Sequence, residues 1–138
     1  MATTPDIDIV NALDGLSDTG WKLTRGTNLF EGPSRAPDAQ IPHACVFVLA
    51  TGGAGPQAYA DGTTTKLRYS SVQITIRSAP RTFATWQTAA RAIRDDLHNV
   101  SISGYLDVRA QQSEPVYLGE DEDGHHEWTV NLELVHEQ

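Results

Sequence analysis

The sequence predicts an α+β fold, with two helices packed on a mainly antiparallel or mixed β-sheet that carries a long β-hairpin arm. Three observations lead there. Two stretches repeat apolar residues three or four positions apart, as one face of a helix does. Several shorter stretches are either apolar throughout or alternate apolar and polar side chains, as strands do. Their order along the chain is helix, strands, helix, strands, which does not alternate into βαβ units. There is no internal repeat or linker, so residues 1–138 read as one domain, long enough to bury a core unaided.

Thr4-Pro5 opens the first helix. A threonine hydroxyl can accept from the free amides of the first turn, and proline at the first helical position has no amide to leave unpaired. Ile9, Val10, Leu13 and Leu16 form its apolar stripe, Gly15 weakens its end, and Gly20 is expected to stop it. Residues 21–41 show no clear period beyond a short strand, Leu29-Phe30-Glu31, before Gly32-Pro33. Residues 44–50, Ala-Cys-Val-Phe-Val-Leu-Ala, are apolar on both faces and predict a central strand. Residues 68–77 alternate, with Val72, Ile74 and Ile76 on one face and Ser71, Gln73, Thr75 and Arg77 on the other.

Between these two strands lie residues 51–66, with Gly52-Gly53-Ala54-Gly55-Pro56 and Asp61-Gly62-Thr63-Thr64-Thr65. Hairpin loops usually have about 2–5 residues, so this connection is the arm. After Ala79-Pro80, Thr82 is placed to cap a second helix. Phe83, Trp86, Ala90, Ile93 and Leu97 give the clearest helical stripe in the chain, and Arg91, Arg94, Asp95 and Asp96 fall largely on its wet side. A strand over residues 105–110 puts Leu106, Val108 and Ala110 on one face. Residues 115–119 form a second short strand, and Glu120-Asp121-Glu122-Asp123-Gly124 a turn. The last strand, residues 127–136, turns Trp128, Val130, Leu132 and Leu134 inward.

Hydrophobic residues make up 39% and charged residues 20%, a folded composition rather than a disordered one. The net charge of −8 disfavours wrapping nucleic acid, which needs clustered Lys and Arg. A single cysteine excludes an internal disulfide and multi-cysteine zinc sites. No apolar run approaches the roughly 20 residues of a membrane span. Residues 1–6 lack the basic-then-apolar pattern of a secretion signal, so synthesis and use on the cytoplasmic side are expected.

Motifs that carry chemistry fail on spacing or direction. The Gly52–Gly55 stretch lacks the Gly-Lys-Ser/Thr ending of a phosphate loop and joins two strands. His125-His126-Glu127 beside Asp121 and Asp123 hints at a metal, but adjacent strand residues point to opposite faces, and the calcium-loop pattern is missing. Cys45, in an apolar strand without a cationic neighbour in sequence, reads as a core thiol. There is no Gly-x-Ser-x-Gly. His43, His98 and His136 are scattered, Trp86 lies on the apolar stripe, and Arg77, Arg81, Arg91 and Arg94 read as a solvated basic face. No catalytic, cofactor or metal site is assigned. A binding or structural role is expected, not an enzyme.

Three segments carry a family resemblance. They are residues 42–53, Pro-His-Ala-Cys-Val-Phe-Val-Leu-Ala-Thr-Gly-Gly; residues 72–79, Val-Gln-Ile-Thr-Ile-Arg-Ser-Ala, leading into a helix; and residues 115–124 followed by Trp128-Thr129-Val130-Asn131-Leu132. Together, over residues 29–134, they resemble the small bacteriophage proteins of the tail-terminator and minor capsid (neck) type. The resemblance implies a ring, usually of six copies, at the head-proximal end of a phage tail, in the virion. Such a ring stops tail-tube polymerisation and meets the head-completion proteins, while DNA passes through without specific binding. It implies no cofactor and no catalytic residue. A head–tail connector or minor capsid protein of the neck is the alternative within the virion. A small ligand-binding or enzymatic α+β domain is the alternative outside it, and it would need a pocket with converging polar groups.

Two surfaces are expected to meet partners. The arm offers Gly52, Gly53, Gly55, Tyr59, Asp61 and Lys66, and being rich in glycine and poor in large apolar residues except Tyr59 and, at its edge, Leu67, it is expected to order against a neighbouring subunit or the tube. The acidic turn offers Glu120, Asp121 and Asp123. The excess of carboxylates suits a conduit for DNA, because a lumen lined with them repels phosphates.

Overall fold

The two longest alternating segments find each other. In the computed structural model, which describes residues 4–32, 44–53, 57–58 and 66–137, they are the central pair of a mixed sheet. In chain order the elements are α1 (Pro5–Leu13), β1 (Ser17–Asp18), β2 (Trp21–Lys22), β3 (Leu29–Glu31), β4 (Cys45–Gly52), β5 (Gln57–Ala58), β6 (Lys66–Arg77), α2 (Phe83–Leu97), β7 (Tyr105–Ala110), β8 (Val116–Glu120) and β9 (His126–Glu137).

Strands β6 and β9 run antiparallel in unbroken register from Leu67↔Glu137 to Arg77↔Glu127. The sheet order is β3-β4-β6-β9-β7, with β5 also paired to β6 and β8 also paired to β9. Strands β7 and β8 therefore share one side of β9, opposite Leu132–His136 and His126–Thr129 respectively. The β3–β4 pair is parallel and the other pairs are antiparallel. The expected α+β fold of two helices on a mainly antiparallel, mixed sheet is what forms.

One sheet face is the core. Val72, Ile74 and Ile76 of β6 lie beside Trp128, Val130, Leu132 and Leu134 of β9, all buried. Ile9, Val10 and Leu13 of α1 and Trp86, Ala89, Ala90, Ile93 and Leu97 of α2 complete it. Each fully buried Leu, Ile or Val contributes about 1.5–3 kcal/mol relative to exposure. Strand β4 is apolar on both faces, but only the face toward the helices is fully buried; on the other, burial falls from Cys45 through half-buried Phe47 to exposed Leu49. Val46 and Val48 face the helices, while Cys45 is buried on the other side and Phe47 stacks on Phe30 with centroids 5.7 Å apart.

Several local expectations are corrected. Helix α1 stops at Leu13, not at Gly20, because Asp14 is already extended and Gly15 has φ +90. A left-handed residue there is what glycine adopts at no steric cost. The chain then doubles back, with Gly15 N–H donating to Leu23 O and Leu23 N–H to Leu16 O, so Leu16 reaches the core from outside the helix. Gly20 instead lies in the β1–β2 turn, a hairpin not apparent from the sequence. It delivers Trp21 to within 6.4 Å of Trp86.

Neither helix is capped as expected. The Thr4 hydroxyl donates to Asp6, and the Thr82 hydroxyl donates to Ala79 O at 2.6 Å; neither accepts from a helix amide. In β7 a register shift between Tyr105 and Asp107 reverses the facing, so Leu106 is 61% exposed and Tyr105 turns inward instead. The Tyr105 hydroxyl donates to Asp8 of α1 at 2.7 Å, and its ring lies 5.1 Å from that of His136, which pairs with Ser70 Oγ at 3.0 Å. Burial and the Asp8 carboxylate push the Tyr105 hydroxyl well above its ordinary value.

The bulge sets a test. Leu132→Ala, at a fully buried site, is expected to cost about 2–5 kcal/mol in urea unfolding, while Leu106→Ala stays within about 0.5 kcal/mol of the parent. Comparable losses from both would contradict the facing described here.

Candidate functional site

At the root of the arm, β4 and β6 separate. The register shifts between Ala50 and Gly52, and Gly52 then pairs with Ser71. Gly53 has φ +122, and a Cβ there would lie 2.3 Å from the carbonyl oxygen of Tyr69. Glycine is thus a requirement of backbone approach at this point. Beyond it the connection pairs again, with Gln57↔Leu67 and Ala58↔Lys66. Of the arm residues expected to meet partners, Gly52, Gly53 and the backbone of Lys66 belong to this root. Gly55, Tyr59 and Asp61 lie outside the described residues.

The acidic turn is held from within. Asp121 Oδ1 accepts the amides of Asp123 and His125, each at 2.9 Å. Its own amide donates to His125 O, and Gly124 N–H donates to Asp121 O. The His125 amide foremost holds the Asp121 carboxyl below its ordinary value. Asp121 therefore uses its charge inside the turn, while Glu120 and Asp123 are exposed at its surface. The structure does not bring this turn and the arm together. The turn joins β8 to the start of β9, and the arm root sits at the far end of β6.

A third feature was not apparent from the sequence. Phe83 was expected on the apolar stripe of α2, but it is 37% exposed and belongs to an aromatic cluster at the helix start. Its ring lies 4.8 Å from His126, 5.2 Å from Trp128 and 5.7 Å from Tyr117. The Tyr117 hydroxyl is 2.8 Å from His126 Nδ1. Between α2 and β8 a cleft of about 380 Å³ opens beside this cluster. Its apolar lining is Pro115, Tyr117 and Trp128, and Gln87, Thr88 and Arg91 border it from the helix. Arg91 is paired with Glu114 across the cleft at 3.0 Å.

Strand β8 has β9 on one side and no strand on the other among the described residues. Val116, Tyr117 and Leu118 are 39%, 47% and 55% exposed in succession. This edge is therefore open and bears consecutive apolar side chains. The available sequence signal was the uninterrupted run Pro115-Val116-Tyr117-Leu118, which reads as an ordinary short strand until its edge is known to be open.

The groups considered for chemistry are engaged elsewhere. Cys45 is buried, and burial raises its thiol to about 11, although Arg77 opposes the shift. The expectation of no cationic neighbour is thus corrected: Arg77 is the cross-strand partner, and desolvation outweighs it. His125 is buried with Nδ1 2.8 Å from Ser78 O, and His126 faces the aromatic cluster, so the two imidazoles diverge. His98 Nδ1 accepts the Ala110 amide. His43 is outside the described residues. Arg94 is tied to Gln112 O rather than standing in solvent. Among the described residues no three His, Cys, Asp or Glu side chains gather as a metal site. No described helix is long and apolar enough to cross a membrane.

Comparison with known proteins adds three findings. The model of a family described as bacteriophage tail terminator protein matches residues 35–138. Among solved structures, a chain from the virion of a native gene transfer agent particle is similar in fold, with a TM-score of 0.57 at 15% identity. The match covers 82% of this chain and 81% of that one. No curated protein matches.

The Asp121 turn yields a pH test. A carboxyl whose folded value is lowered contributes stability above its ordinary value, near 3.8, and loses it as pH falls through the folded value. Asp121→Ala is expected to lower the melting temperature at pH 7, with the gap closing below about pH 3–4. A gap that does not change with pH would show that the charge is not what holds the turn.

Proposed function

The chain belongs to the bacteriophage tail terminator protein family, and from that membership we propose that six copies form a ring closing the head-proximal end of a tail tube. At the coarser level it is a structural protein of a phage-type tail, and its place is the virion. In the finer reading the ring stops addition of tube subunits and presents its other side to a head-completion protein. DNA passes through it without specific contact.

The carrying observation is the family match, which takes in every strand from β4 to β9 and all of α2. The surface agrees with it. A heterologous contact that closes on itself makes a ring, and it needs two different patches on one chain. The open, apolar β8 edge is one such patch, and the arm root at the opposite end of the sheet is another. The net charge of −8 favours a passage to which phosphates do not adhere. The family is one of structural virion proteins, so the cleft beside β8 is read as a place for protein rather than for a substrate.

Removing this gene from its phage tests the reading. Particles lacking the protein are expected to show overlong or unjoined tails beside DNA-filled heads in electron micrographs, with complementation restoring joined particles. Tails of normal length beside heads that lose their DNA would place the protein in the head or neck instead.

A further inference from the structure

The cleft between α2 and β8 is partly apolar, lies beside an open strand edge, and is bordered by Gln87, Thr88 and the Arg91–Glu114 pair, polar groups to which a hydroxyl can hydrogen-bond. A flat aromatic side chain with a polar tip suits that lining. Tyrosine supplies large contact area at low entropic cost and is enriched where interfaces concentrate their energy. Between residues 53 and 65 the chain has one large apolar side chain, Tyr59.

We propose that the arm of one copy, anchored by Tyr59, docks in the α2–β8 cleft of the next copy. The inference rests on the ring reading and names one of its contacts.

Distances decide that the occupant comes from another copy. Trp128, in the cleft, lies nine residues along β9 from Glu137, the partner of Leu67 at the arm root. At about 3.3 Å per residue that is about 30 Å. Residues 59–65 join Ala58 to Lys66, which are themselves paired at the end of the sheet remote from the cleft. Seven residues folded back on themselves reach about 12 Å at most. A molecule cannot fill its own cleft this way, whereas a neighbour can, and the contact is head-to-tail, the kind that closes rings.

Disulfide trapping in the full-length protein tests the contact. Cys45 is the one native cysteine and is fully buried, so Tyr59→Cys with Gln87→Cys in the same chain reports the new pair. Mild oxidation of the protein, alone and mixed with tail tubes, is expected to give a ladder of linked oligomers that reductant collapses. A mixture of the two single variants is expected to stop at dimers. Rings in micrographs without the ladder would overturn the arm contact and leave the ring standing. Absence of both, in solution and on tails, would overturn the ring as well. A link within one chain, or a ladder from Arg35→Cys with Gln87→Cys in place of the Tyr59 pair, would also overturn the proposal.

Discussion

The pairing of β6 with β9 sets the terms for everything else in this molecule. It is long and unbroken, and in both strands the apolar side chains fall on the same alternate positions. A slip of one residue would turn Ile74 and Ile76 to the outer face while leaving Val130 and Leu132 inside, so burial of one face fixes the register. With that pair in place, β4 and β7 have defined partners, and two helices have an apolar surface to cover. Irregularities are displaced outward. They occur at the root of the arm in β4, in β7 and in β8, where strands end or change direction.

Chains of hydrogen-bonded polar groups lie at both ends of the sheet, while among the described residues Trp21 Nε1 and Arg77 Nε are buried without a hydrogen-bond partner. At one end Ser70, His136, Tyr105 and Asp8 are linked in sequence and tie the first helix to the sheet. At the other end Ser78 receives the His126 amide on its hydroxyl and the His125 ring on its carbonyl, and so fastens the acidic turn to the start of the second helix. Buried histidines here are structural groups with specific partners. A pair of adjacent histidines beside carboxylates looks like metal chemistry until its two rings are seen to face different neighbours.

The surface the fold leaves uncovered is consistent with an assembly protein. The open β8 edge, the exposed apolar residues along it and the aromatic cluster at the start of α2 are adjacent, and they lie far from the root of the arm. Two dissimilar patches on opposite parts of one chain are what the proposed head-to-tail ring requires. The acidic turn borders the first patch, and Asp121 shapes it from inside, so its outward carboxylates sit on a stable loop.

Periodicity by itself determined the fold class, the central strands and most of the core, because the residues that bury Val72, Ile74, Ile76, Trp128, Val130, Leu132 and Leu134 repeat at the spacing of the backbone that carries them. The family too was legible, from three ordered segments. Tertiary structure decided what spacing does not encode. A register shift took Leu106 out of the core and packed half-buried Tyr105 against it, the chain reversed at Gly15 rather than Gly20, and Phe83 left its helical stripe for a cluster with residues some 30 to 45 positions away. The same holds for the candidate site. The glycines of the arm and the carboxylates of the turn could be named from the sequence. The cleft beside β8 could not, because a cleft is the space between two elements, and that space exists only once β9 has chosen its neighbours.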